Sequence, residues 1–176
     1  GQAPEGWGKE GTVRWDATFA VPAELRGKRC ELRVGLWIPE RIGKTEILEI
    51  HLTHLLALKP DHPHALNALG YSLAERNLRL AEAHDLIAKA LSLAPEDPFI
   101  MDSMGWVLYR QGKLTEALQT LENAFRLKAD PEIAAHLGEV LWSLERKDEA
   151  RRILKDAYKA HPENETLAST VKKLLP

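Results

Sequence analysis

A single cysteine, Cys30, leaves the chain without an internal disulfide or a thiolate cluster for a metal. No apolar run approaches the ~18 residues of a membrane-spanning helix. Neither sign of charge dominates: 24 Lys+Arg stand against 26 Asp+Glu, a formal net charge of −2. That balance offers no electrostatic footprint for nucleic acid or an anionic membrane surface. Gly-rich phosphate loops and Gly-x-Ser-x-Gly elbows are absent. The opening residues, Gly1 to Gly6, carry neither the basic nor the apolar region of a secretory signal, so any such signal lies outside this sequence. What remains is a hydrophobic content of 44% and a charged content of 28%, which suit a folded globular chain and exclude a disordered one.

Two unlike parts meet near residue 43. Before it, Trp7, Trp15 and Trp37 sit among β-branched residues and glycines; after it the chain turns rich in Leu, Ala, Glu and Lys. Val13, Trp15, Ala17, Phe19 and Val21 alternate with polar neighbours, as do Cys30, Leu32, Val34, Leu36 and Ile38. Period two predicts two half-buried strands, and the intervening Pro22 to Lys28 predicts a long turn, giving an antiparallel β-pair within residues 1–43. Two strands alone are marginal in water. The segment is read as a fragment of a larger β-domain, a fusion, or a hairpin that docks on the helices or on another chain. About 30 of its residues resemble the last strands of an immunoglobulin-like β-sandwich. An uncovered apolar β-pair also predicts sheet completion with a partner or self-association.

The second part repeats. Gly70, Gly105 and Gly138 lie 35 and 33 residues apart, each followed three positions on by Leu73, Leu108 or Leu141. Downstream of each comes an alanine-rich set: Ala83, Ile87 and Ala90; Ala117, Leu121 and Ala124; Ala150, Leu154 and Ala157. Apolar residues at this spacing predict two amphipathic helices per unit. A mid-helix glycine costs about 1 kcal/mol against alanine, so its recurrence in phase points to a steric need. Pro63, Pro98 and Pro131 open the first helices, with Asp61, Asp97 and Asp130 as expected caps.

This pattern resembles the tetratricopeptide repeat family. Its large and small positions fall on Leu66, Leu69, Gly70, Leu73, Ala83, Ile87, Ala90 and Pro95. They recur on Met101, Met104, Gly105, Leu108, Ala117, Leu121 and Ala124, then on Ala134, Leu137, Gly138, Leu141, Ala150, Leu154, Ala157 and Pro162. The family's early Trp is replaced by Leu66, Met101 and Ala134. The first unit carries an extra residue around Leu78-Arg79-Leu80, and Ala129 stands where a second terminal proline belongs. The resemblance implies a mainly α fold, a right-handed α-solenoid of antiparallel helix pairs over residues 44–176. It comprises a half repeat at 45–60, repeats at 63–97, 98–130 and 131–163, and a capping helix at 164–175.

A narrower resemblance is carried by Asn67 to Tyr71, Asp102 to Trp106, Ala135 to Trp142 and Val171 to Leu175. These are similar to the C-terminal repeats of a proteobacterial outer-membrane tetratricopeptide lipoprotein, an adaptor and activator of a periplasmic carboxyl-terminal processing protease. That likeness implies a periplasmic setting and such a protease as partner; the β-pair of residues 1–43 does not belong to it, and outside it a cytoplasmic setting stands.

In the family's fold the first helices line a concave groove. Counting from each opening proline, the groove-facing set is Asn67, Tyr71 and Glu75; Phe99, Asp102, Trp106, Tyr109 and Arg110; His136, Glu139 and Trp142. Aromatics there are surplus to the leucine core and would serve as exposed anchors for a peptide, with Arg110 free to meet a carboxylate. The competing role is packing against the neighbouring repeat, which weighs more for Trp142 than for Trp106. The subgroup that clamps a free C-terminus is a poor fit, since Tyr71, Asp102, Trp106 and Glu139 depart from its Lys and Asn positions. The expected function is a non-catalytic scaffold that binds a protein or peptide, with no cofactor. His51, His54, His62 and His64 fall within 14 residues, a spacing zinc accepts. They lack a hydrolytic motif and are read as solvated rather than metal-binding. Cys30 is read as a buried structural thiol.

Overall fold

Between Lys44 and Leu174 the apolar spacing produces eight α-helices, seen in a computed structural model that describes residues 44–175 and their side chains from Leu48 onward. They are α1 (Lys44–Leu58), α2 (Pro63–Glu75), α3 (Leu80–Leu93), α4 (Pro98–Arg110), α5 (Leu114–Leu127), α6 (Pro131–Ser143), α7 (Lys147–Ala160) and α8 (Glu165–Leu174). Every regular element among these residues is helical. The chain divides into two units, Gly1–Gly43 and Lys44–Pro176. The expected β-pair, Cys30 within it, and the self-association inferred from it lie outside the described residues.

Proline fixes φ at the first position of α2, α4 and α6, where its missing N–H is harmless. Asp97 caps α4 by accepting from Phe99 N at 2.9 Å and Ile100 N at 3.2 Å, and Asp130 caps α6 through Glu132 N at 3.0 Å. The first unit differs from expectation. His62, not Asp61, caps α2, its Nδ1 accepting from Ala65 N at 3.2 Å, while Asp61 takes the Lys89 ammonium at 2.8 Å. An acceptor one residue nearer the proline reaches the open N–H groups first.

Within each pair the backbones close to a distance that excludes a side chain. A Cβ on Gly70 would stand 2.6 Å from Ile87 Cγ1, one on Gly105 2.5 Å from Leu121 Cγ, and one on Gly138 2.6 Å from Leu154 Cγ. The in-phase glycines and the in-phase large residues therefore meet each other. Leu73, Ile87, Ile100, Leu121, Leu137 and Leu141 are fully enclosed along the continuous core, and Leu154 and Leu167 close its far end with Ala135.

Each helix touches the next in sequence, and α2, α4, α6 and α8 also touch in succession, whereas α3, α5 and α7 do not meet one another. The first-helix layer is thus the contracted side of the stack. That curvature places α2, α4, α6 and α8 on one wall.

Candidate functional site

The predicted residues are distributed over α2, α4 and α6. On α2, Asn67 and Tyr71 are half-buried and Glu75 is exposed. On α4, Phe99 stays 43% exposed, with the Lys128 ammonium 4.2 Å from its ring centroid. Tyr109 and Arg110 are half-buried on the same helix. On α6, Glu139 and Trp142 are half-buried.

Three residues expected as open groove sites are closed. Trp106 is 5% exposed, Asp102 6% and His136 5%. The cause is visible in their contacts. His136 Nδ1 lies 2.9 Å from both carboxylate oxygens of Asp102, joining α6 to α4. The Trp106 ring stacks on the His136 ring at 4.2 Å between centroids and 22° between planes. Its indole N–H donates to Glu75 Oε2 at 2.9 Å, which reaches α2. Tyr71 completes the cluster, 6.1 Å from the His136 ring, and Tyr109 lies 5.1 Å from Trp106. Trp106 is therefore a packing residue between repeats and not an exposed anchor.

Electrostatics in this cluster follow from burial among carboxylates. Desolvation, then the charges of Glu75, Asp102 and Glu132, push the Tyr71 phenol far above its ordinary range. For His136, burial alone would expel the proton. The Asp102 carboxylate outweighs it, with Glu75 and Glu139 adding, so the imidazolium persists above its usual range.

The cluster gathers Tyr71, Asp102, Trp106, Tyr109 and His136. Arg110 joins it from the edge, 5.7 Å from the Trp106 ring and donating to the Glu75 carbonyl at 3.2 Å. Phe99 and Trp142 are held elsewhere, Trp142 beneath Lys147 at 5.6 Å and Arg151 at 5.4 Å. Glu139 takes Lys173 of α8 at 3.0 Å, where the sequence pattern relates that lysine only to its own helix end. The Asp102–His136 pair is likewise not evident from position counting. The available signal is their separation of 34 residues, one repeat period.

Of the histidines near α1, His62 and His64 pack edge-on, 6.3 Å between ring centroids. His62 is the α2 cap, His64 lies 3.9 Å from Asp97, and among the described residues no three His, Cys, Asp or Glu side chains are placed to hold a metal ion. No helix among them is long and apolar enough to cross a membrane.

Comparison with known proteins agrees with this geometry. Residues 103–165 match the family described as Tetratricopeptide repeat. A TPR repeat-containing protein of Pseudomonas aeruginosa is 53% identical over 92 residues, which cover 52% of this chain and only 16% of that protein. Among solved structures, a thermophilic TPR protein of Thermus thermophilus superposes with a TM-score of 0.62 at 23% identity, covering 72% of this chain and 71% of that one. MamA of Desulfovibrio magneticus superposes at 0.58 with 16% identity, covering 70% of each chain. An O-GlcNAc transferase variant of Thermobaculum terrenum does so at 0.60 with 22% identity, covering 68% of this chain and 23% of that one. Paired helices, glycine contacts in phase and these likenesses together give the helical region the fold of a tetratricopeptide-repeat solenoid, with residues 103–165 matching the repeat family itself.

Proposed function

We propose that the helical region is a non-catalytic scaffold that holds a segment of a protein partner along the wall formed by α2, α4, α6 and α8. The supporting observation is the exposed share of aromatic surface on that wall. Phe99 stays 43% exposed, Tyr71 and Tyr109 are half-buried, and the Arg110 guanidinium lies 5.7 Å from the Trp106 ring. Rigid aromatics beside a cation are the usual anchors of a peptide-binding surface.

The narrower reading is an adaptor that recruits a carboxyl-terminal processing protease. It rests on the sequence likeness of Asn67–Tyr71 and Ala135–Trp142 to such an adaptor.

A double substitution, Phe99→Ala with Tyr109→Ala, tests the wall. Titration against a carboxyl-terminal processing protease should show affinity falling by about tenfold or more, the scale of losing an aromatic anchor. Helical circular dichroism should stay unchanged, because neither side chain is fully enclosed. Wild-type binding with unaltered affinity in the double variant removes the wall as the binding surface. No binding by the wild type removes the protease as partner.

A further inference from the structure

We propose that the buried Asp102–His136 pair is a proton-dependent latch that fastens the second repeat to the third along the inner wall. It is closed while the ring is an imidazolium and slack once the proton leaves. The inference concerns the joint between repeats and stands independently of any partner.

Geometry carries it. Both carboxylate oxygens converge on one imidazole nitrogen at 2.9 Å, and both side chains are almost wholly enclosed. The opposite face of the ring system is the Trp106 indole, stacked at 4.2 Å, which favours a cationic ring over a neutral one. Trp106 is itself tied to Glu75, so the ring's charge is felt by three successive first helices. Without the counter-charge, Asp102 is a buried carboxylate held only by a neutral Nδ1–H, a weaker hold that shifts the joint toward opening to water.

The groups around the ring agree in sign. Asp102 of α4, Glu75 of α2 and Glu139 of α6 all favour the charged form. The cation on the α8 side, Lys173, is bound by Glu139 at 3.0 Å. The buried faces of α5 (Ala117, Leu121, Ala124) and α7 (Ala150, Leu154) are apolar. One repeat earlier the equivalent positions hold Asn67 and Ser103, neither of which titrates near neutrality. Protons therefore act on one joint of the stack and spare the one before it.

The folded ring keeps its proton to higher pH than an unfolded histidine does. The latch therefore contributes fully below about 6.5, and its contribution fades as pH rises through the raised folded value.

Hydrogen exchange of the whole chain near pH 6 and pH 9 tests this. Protection of α6 is taken relative to α3, so that the intrinsic pH dependence of exchange cancels. The relative protection of α6 should fall several-fold at the higher pH in the wild type and stay level in His136→Gln. A level ratio in the wild type, or the same fall in the variant, overturns the latch. Asp102→Asn keeps an acceptor oxygen and removes the charge. Followed by NMR, the His136 ring in that variant should titrate at lower pH than in the wild type. An unmoved midpoint overturns the proposal even if His136→Gln fails to fold.

Discussion

Two different needs put glycine at particular residues of this stack. Gly112 has φ +79 and open space where a Cβ would stand, so its requirement is conformational. Gly105 lies within helix α4 and has no such backbone demand; its requirement is room, because Leu121 Cγ occupies the site of a Cβ at 2.5 Å. The obstructing atom is a branch point near the Leu121 backbone, which cannot swing aside as a side-chain tip can. Gly105→Ala should therefore destabilise the fold by about 1–3 kcal/mol, the usual cost of overpacking. A gain of helix propensity of about 1 kcal/mol works against that cost. Urea unfolding followed by circular dichroism measures the difference, and a stabilised variant would contradict the steric account. This need was legible in the sequence because sterics repeat with the unit. The Asp102–His136 contact was not, because it depends on how neighbouring helices slide into register.

At the scale of elements, the helices announce their starts more plainly than their connections. Pro at the first position and Asp before it located α4 and α6 from sequence, whereas the choice between Asp61 and His62 as cap needed the local backbone. The turns show the same limit. Helices α2, α4 and α6 all end by bonding an N–H back to a carbonyl five residues earlier: Leu78 to Leu73, Lys113 to Leu108, and Arg146 to Leu141. The left-handed residue in these turns is Asn77 (φ 55), Gly112 (φ 79) or Glu145 (φ 60). The extra residue visible around Leu78-Arg79-Leu80 becomes a second left-handed position, Arg79 at φ 43. It brings Arg79 to Glu49 of α1, which Arg76 also holds. Asn tolerates that region, Gly is at ease in it, and Glu is strained there by about 1 kcal/mol. Glu145→Gly should raise stability by about 0.5–1 kcal/mol, since the exposed Glu145–Lys147 ion pair it removes is worth little. A lowered urea midpoint would show that the ion pair outweighs the backbone strain.

For the helical region taken whole, the arrangement of a quasi-one-dimensional stack was legible, while the state of its inner wall was not. Position counting assigned Trp106, Asp102 and His136 to the groove-facing set, whereas the first-helix layer is drawn so close that they are buried against one another. Proximity of successive repeats is a property of the stack and is not encoded in any one of them. The same nearest-neighbour logic predicts how the stack fails. Helix α8 covers Ala135 and Leu154 with Leu167, Val171 and Leu174, and its Lys173 holds Glu139. Ending the chain at Glu163 should weaken α6 and α7 by at least about 2 kcal/mol, since fully burying one leucine contributes about 1.5–3 kcal/mol. The loss should be graded along the stack. Hydrogen exchange should accelerate most in α7, less in α5 and least in α3, because each helix layer feels the missing cover only through the one beside it. Uniform acceleration from α3 to α7 would instead mean that the three repeats open as a single cooperative body.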